Sequence, residues 1–350
     1  MSRLFTLTAP LSVVYEVTNC CNLNCFFCYN KINRIKQELS TKDALRLIEE
    51  LGELGCFSID FSGGPLLRSD LFTLAKVARK NFNKVNLLTN ATIINEGNVG
   101  KLKEVFDVVQ VSLDGSKKEV HDRIREQGGA FEKALKGIKL LVKEKCYTSI
   151  AFTLNKINLH DVIDVIKLVY SMDVDEIRIG LMRPFNSITR RYSLSPNDVA
   201  EVNVRINSVL KLFKNKITIR ALFPYFYTKK MQRTLKLNEI VFASCGAGMS
   251  KCNILPDGSI TPCVYFREIA GNCKQTTFKE IWEKSKVLQK YRVLFSFENL
   301  VRHVKEKYKI ECTQCEYLRM CLLGCRALAY EKYGDPCGPN PYCLKEVFSK

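Results

Sequence analysis

The sequence predicts an α/β fold: an open, partial barrel of six parallel βα units, followed by a small cysteine-rich domain. Three observations predict it. Short apolar runs of strand length alternate six times with segments of helical periodicity. Each predicted strand runs into a polar or glycine-bearing turn, which gathers those turns at one end of a parallel sheet. From Cys245 onward the chain changes character and carries ten of its sixteen cysteines. The expected division is 9–220 for the barrel, 221–244 for a connecting segment and 245–350 for the cysteine-rich domain.

Leu11–Thr18 (LSVVYEVT) reads as a buried strand that enters a cysteine loop, Asn19–Asn30 (NCCNLNCFFCYN). Thr41–Leu54 places Ala44, Leu45, Leu47, Ile48, Leu51 and Leu54 at helical spacing. Phe57–Phe61 is a short strand ending at Ser62-Gly63-Gly64, and Asp70–Lys80 is a helix. Lys84–Thr89 is a strand closed by Asn90; a short helix near Gly97–Lys103 precedes the strand Val105–Leu113, which ends at Asp114-Gly115. Phe131–Lys145 is helical, Tyr147–Leu154 a strand followed by Asn155 and Asn158, and Leu159–Met172 a helix. Glu176–Leu181 is the sixth strand, before Arg183-Pro184. Ser195 as N-cap and Pro196 at the first helical position open a helix to Phe213 that closes the barrel. Ile217–Leu237, basic and aromatic (Phe223, Tyr225, Phe226, Tyr227, Lys229, Lys230, Arg233), reads as a connection overlying the barrel mouth.

The composition sets bounds. A chain of 350 residues with 46% hydrophobic content can bury a sizeable core. No uncharged apolar stretch reaches the ~18 residues of a membrane span. The N-terminal MSRLFTLTAPLSVVYEVT lacks a signal-peptide core and cleavage site, which predicts a cytoplasmic protein. In a reducing compartment, clustered thiols read as metal ligands and not as a disulfide framework. The net charge of +18 fits either a solvated basic surface or an acidic partner, an acidic peptide or a carboxylate-rich small molecule. No RNA-binding signature or basic tail is present, so nucleic acid is not expected as a partner.

Cys21, Cys25 and Cys28 stand in a CxxxCxxC spacing, with Cys20 as an extra thiol. Three thiolates so close can converge on one metal centre. A cubane cluster held by three cysteines keeps one iron free for a substrate, whereas a pure electron carrier uses four. The competing reading is a zinc knuckle or part of a redox dithiol, but no histidine is near to complete a zinc set. With the aromatic Phe27 directly before the last cysteine, the loop resembles the signature of the radical S-adenosylmethionine (radical SAM) enzymes.

The later cysteines form a second pattern. Cys245 and Cys252 lie in CGAGMSKC, and Gly258 and Cys263 in PDGSITPC. Cys312, Cys315, Cys321 and Cys325 make a CxxCxxxxxCxxxC run, and Cys337 and Cys343 come last. Spacing alone leaves structural zinc and auxiliary iron–sulfur clusters equally open. The order of the whole set is similar to the SPASM domain of radical SAM peptide maturases, so the resemblance spans about 9–350. It implies three [4Fe-4S] clusters. Cys21, Cys25 and Cys28 would hold the catalytic one, Cys245, Cys252, Cys263 and Cys325 the first auxiliary one. Cys312, Cys315, Cys321 and Cys343 would hold the second, with Cys343 preferred to Cys337 because PNPYC resembles the family's terminal motif. Cys20, Cys56, Cys146 and Cys273 read as buried or spare thiols.

The resemblance also implies bound S-adenosylmethionine. Phe27 would pack near its adenine, Gly63-Gly64 would contact the methionine amino group, and Ser112 and Asp114 in VSLDG would line the ribose. The chain departs from the family at one point. The usual Gly-Gly-Glu before Pro-Leu-Leu is here Gly63-Gly64-Pro65-Leu66-Leu67, as if the Glu were deleted. The implied chemistry is reductive cleavage to a 5′-deoxyadenosyl radical, fed by a reductant such as a ferredoxin or flavodoxin. No general acid or base on the substrate is singled out. SPASM relatives mostly modify peptides, and another group decarboxylates tetrapyrrole side chains; the expectation ranks peptide modification first. An iron–sulfur electron carrier without S-adenosylmethionine chemistry is the non-enzymatic alternative, motivated by the missing Glu. No leader-binding domain is expected before Cys21, so a peptide substrate would need a separate binding partner or direct docking.

Overall fold

The structure is a computed structural model that describes residues 7–32, 37–213, 216–221, 245–343 and 345. The aromatic and basic residues expected to connect the domains, Phe223 to Arg233, lie outside the described residues. The strands are β1 (Ser12–Thr18), β2 (Ser58–Gly63), β3 (Lys84–Thr89), β4 (Val108–Ser112), β5 (Thr148–Leu154), β6 (Glu176–Leu181), β7 (Thr218–Ala221), β8 (Lys251–Ile254), β9 (Ser259–Thr261) and β10 (Gly271–Asn272). The chain packs as two compact units. The first contains the described residues of 7–113, 125–150 and 246–293; the second those of 114–124, 151–245 and 294–345.

In the first unit the strands run in the order β10-β9-β8-β1-β2-β3-β4. β1 to β4 are parallel, with Val13 beside Ile59 and Tyr15 beside Phe61. Val13, Tyr15, Val17, Ile59, Phe61, Val85 and Leu87 are fully buried, as a parallel sheet covered by helices requires. The helix Thr41–Glu53 begins where Ser40 Oγ accepts from the Asp43 amide, and it buries Ala44, Leu47, Ile48 and Leu51. Leu71–Asn81 and Glu96–Val105 supply the next crossovers. The latter helix runs through Val105, so β4 starts three residues later than the apolar run suggests: Val105 and Phe106 pack as helix end and cap. The sheet also continues on the other side of β1. β8 joins it in parallel, with Cys252 beside Val13, and β9 and β10 follow antiparallel. Phe278–Lys284 seals that edge; its Trp282 is fully buried and donates from Nε1 to the Leu7 carbonyl at 2.8 Å.

In the second unit β6 pairs in parallel with β7, Glu176 beside Thr218. The sequence reads β7 as connection, because its four residues are a short run that leads straight into a basic and aromatic stretch. Its arginine is what recruits it: Arg220 Nε donates to the buried Glu176 at 2.9 Å, and Arg178 bonds the same carboxylate. Pro196–Val209 forms as expected, with the Asp198 amide donating to Ser195 Oγ at 3.2 Å. Phe297–Tyr308, Leu318–Cys321 and Arg326–Tyr333 complete the C-terminal part. The short helix Lys118–Arg125 escapes the periodicity because most of it is charged. Among the described residues, no helix is long and apolar enough to cross a membrane.

Candidate functional site

β1 delivers the chain into the cysteine loop at Thr18, whose Oγ1 accepts from the Cys20 amide at 2.9 Å and donates to Glu38. The loop then folds back on itself: the Cys28 amide donates to the Cys25 carbonyl, and the Lys31 amide to that of Cys28, each at 3.2 Å. This brings three thiols within electrostatic reach of one another. Burial, followed by the neighbouring Cys25 and Cys21, pushes the Cys28 thiol up to about 11. Three mutually repelling thiolates are what a metal centre resolves, since the ion supplies the missing positive charge. The loop is fastened from outside. Arg125 Nη1 donates to Cys25 Sγ at 3.5 Å, and its guanidinium stands 5.3 Å from the Phe27 ring centroid. Asn24 donates to Glu126 at 3.2 Å, and Lys31 Nζ donates to the Asn24 carbonyl at 2.7 Å. On the far side Asn90 Nδ2 reaches Asn22 Oδ1 at 2.9 Å and Cys21 Sγ at 3.8 Å.

The glycine turn after β2 is pressed against this loop. Gly63 has φ +95°, and a Cβ there would lie 2.1 Å from the Thr18 carbonyl oxygen. A Cβ on Gly64 would lie 1.9 Å from that of Cys20. The chain then enters a tight turn at Pro65–Leu67, and Arg68 anchors it by donating to the carbonyls of Val17 at 2.8 Å and Leu39 at 2.9 Å and by pairing with Asp70 at 2.6 Å. A cavity of about 10 Å³ opens between the turn, Asn22, Thr89 and Asn90, and no acidic side chain lines it. The absent Glu is therefore not replaced at this spot by another carboxylate.

Ser112 ends β4, half-buried. Asp114 is fully buried and committed: its Oδ1 accepts from the Thr153 amide at 2.7 Å, while Asn158 donates to its backbone carbonyl at 3.0 Å. These bonds give Asp114 a role in locking the end of β5, which its exposed-turn sequence context does not suggest.

The C-terminal thiols separate into groups. In the second unit, burial and then Cys321, Cys315 and Cys343 push the Cys312 thiol up to about 11, so these four lie within electrostatic reach of one another. Cys321 accepts from Asn340 Nδ2 at 3.3 Å. Cys337 points elsewhere, its Sγ donating to the Leu294 carbonyl at 3.6 Å. Cys325 caps Arg326–Tyr333. Burial opposes its ionisation, but Arg183 and the amides of Leu328 and Ala327 outweigh that and hold the thiol below its ordinary value. In the first unit, Cys263 Sγ accepts from the Tyr265 and Phe266 amides, both at 3.3 Å. Cys252 sits on β8 beside Val13, and burial first, then Cys56 and Cys273, push its thiol far up. Sequence reasoning misses Arg125 and Arg183 because nothing local marks an arginine as a sulfur partner.

A further opening of about 350 Å³ lies within the second unit. Leu328 and Tyr342 line it together with Lys156, Arg190, Glu331 and Lys332. Arg190 pairs with Glu331 at 3.0 Å, while Lys156 and Lys332 have no carboxylate partner among the described residues.

Known proteins share these features. Residues 15–169 match the radical SAM superfamily and residues 245–316 an iron–sulfur cluster-binding domain, SPASM. An AdoMet-dependent heme synthase of Methanosarcina barkeri is 30% identical over 96% of this chain and 97% of its own length. A PqqA peptide cyclase of Bradyrhizobium diazoefficiens is 25% identical over 97% of this chain and 88% of its own length. The crystal structure of anSMEcpe with bound AdoMet superposes with TM-score 0.77 at 24% identity, covering 97% of this chain and 96% of that one.

Proposed function

This chain belongs to the radical SAM superfamily, and from that premise we propose that its substrate is a tetrapyrrole whose carboxylate side chain it attacks by hydrogen-atom abstraction. The observation that carries the radical chemistry is that Cys21, Cys25 and Cys28 stand in one loop within electrostatic reach of one another. The identity with a heme synthase along nearly the whole of both chains supports the substrate class, and it reverses the order expected from the sequence.

When bound, a [4Fe-4S] cluster on the three thiols and S-adenosylmethionine would supply a 5′-deoxyadenosyl radical. The residues do the rest. Arg125 donates to the Cys25 sulfur and covers Phe27, leaving that ring to meet an adenine on its other face. Gly63 and Gly64 keep side chains out of the space beside the loop, so a methionine moiety can approach backbone. Ser112 is retained as a ribose contact, whereas Asp114 acts by positioning the strand ends. Cys312, Cys315, Cys321 and Cys343 would hold one auxiliary cluster, and Cys245 and Cys325 would contribute to another, giving three in all. Lys156 and Lys332 can receive a carboxylate over the apolar floor of Leu328 and Tyr342.

A second reading, modification of an acidic peptide, is favoured by the relation to a peptide cyclase over 97% of this chain and by the +18 charge. The two are separated by incubating reconstituted protein, dithionite and S-adenosylmethionine with a propionate-bearing iron tetrapyrrole. Faster 5′-deoxyadenosine release, with loss of carbon dioxide from the tetrapyrrole by mass, supports the first reading. No change in either, while an acidic peptide accelerates release, replaces it by the second.

A further inference from the structure

Arg326 follows Cys325 and is fully buried. Its guanidinium is held edge-on by three backbone carbonyls: Nε donates to Gly324 at 3.4 Å, and Nη1 to Pro336 at 3.3 Å and Gly338 at 2.8 Å. Nη2 has no hydrogen-bond acceptor among the described residues. Among those residues no carboxylate pairs with this arginine. A cation in that position is costly unless an anion shares the interior with it. Its titratable acidic neighbours are thiols, Cys245 and Cys325 foremost and then Cys321 and Cys337. Four neutral thiols would leave the charge uncompensated, whereas a thiolate-ligated iron–sulfur centre carries net negative charge. The residues therefore fit an anionic cluster.

We propose that Arg326 is the buried counter-cation of the auxiliary iron–sulfur centre to which Cys245 and Cys325 belong, and that it raises the reduction potential of that centre. The inference rests on the reading of these thiols as cluster ligands. A fixed positive charge in a water-excluded site stabilises the reduced, more negative form over the oxidised one. The carbonyls of Gly324, Pro336 and Gly338 keep the planar group from turning away. Arg326 is in this sense a positioning residue for charge, with no contact to a reacting atom.

The test uses full-length protein in which Cys21, Cys25 and Cys28 are Ala, so that only C-terminal clusters remain. It is reconstituted with iron and sulfide and titrated potentiometrically with electron paramagnetic resonance detection. Arg326→Met is expected to hold as much iron but to be harder to reduce by at least tenfold in the equilibrium, about 59 mV for one electron. Arg326→Lys, which keeps the charge, is expected to stay within tenfold of the unchanged residue. If Met loads iron and titrates at the same potential, the inference is overturned while the cluster reading stands. If Lys shifts as far as Met, or if Met fails to load and Lys is shifted by tenfold or more, charge is not the cause and the inference is likewise overturned. Zinc, or no metal, in the protein with Arg326 intact overturns the cluster reading and the inference together.

Discussion

Arg125 places Nη1 3.5 Å from the sulfur of Cys25 while its guanidinium lies 5.3 Å from the centre of the Phe27 ring. One side chain thus donates to the middle thiol of the loop and lies over the aromatic beside the last. Arg125→Leu removes a charge-assisted bond worth about 1.5–3 kcal/mol at little change in volume. The reconstituted variant should release iron from the loop several-fold faster to a colorimetric chelator, with Arg125→Lys in between. Equal release rates for Leu and Arg would take Arg125 out of the site.

Much of the barrel was legible because a parallel sheet writes itself as short apolar runs between helices. Glu176–Leu181 and Lys84–Thr89 have the ends that the sequence suggests. What was not legible depends on partners far along the chain. β7 is drawn into the sheet by Arg220 and Glu176, and β8 by its place beside β1, neither of which a local pattern records. The cysteine loop was legible because all three thiols lie in one turn. Cys252 shows the limit: spacing counts residues between thiols and does not record that this one is buried on a strand near Cys56 and Cys273.

Cys252→Ala is accordingly expected to keep the full iron content of the C-terminal region, at a stability cost of roughly 1 kcal/mol for a small buried cavity. Cys325→Ala should lose iron. Burial pushes Cys56 and Cys273 up to about 12, so both should resist alkylation by iodoacetamide in the native protein near pH 8 and react only after unfolding. Iron loss in Cys252→Ala would restore this thiol to the ligand set.

Asp335 gathers Lys307 Nζ at 2.7 Å, His303 Nε2 at 2.8 Å, Tyr308 Oη at 3.1 Å and the Cys337 amide at 2.9 Å. Burial alone would raise its carboxyl, but the bonds from Lys307, His303 and the others outweigh it and hold the group well below the ordinary 3.8. A carboxyl lowered on folding stabilises the fold above its unfolded value and loses that contribution as pH falls toward the folded one. Asp335→Asn should therefore cost about 1–3 kcal/mol near neutrality, and the gap from the unchanged protein should narrow as urea midpoints are measured from about pH 5 down to about pH 3. A gap independent of pH would show that the aspartate acts by shape alone.

The glycine turn offers a gain-of-function test. The cavity beside Gly63 and Gly64 is lined without a carboxylate, and Leu67 donates to the Gly64 carbonyl at 2.8 Å to close the turn directly after it. Insertion of Glu between Gly64 and Pro65 should bring an anion toward the ammonium of S-adenosylmethionine. If desolvated, that contact is worth on the order of 1–3 kcal/mol, so calorimetric affinity should rise by about fivefold or more. Weakened binding would mean that this turn holds a register of its own.

Turnover without substrate is the most direct check on the loop. With dithionite and S-adenosylmethionine alone, the protein should slowly yield methionine and 5′-deoxyadenosine, because three thiols leave one position of a four-iron cluster to the cofactor. Cys25→Ala should abolish this, since Cys25 is the buried thiol to which Arg125 donates and two thiolates hold a cubane poorly. Cys315→Ala should spare cleavage yet block the finished product, because Cys315 belongs to the group around Cys312 and not to the loop. Chromatography of the nucleoside gives the answer for each variant. Protein loaded with iron that binds S-adenosylmethionine and still releases no 5′-deoxyadenosine would be an electron carrier, and the substrate assignment would fall with it.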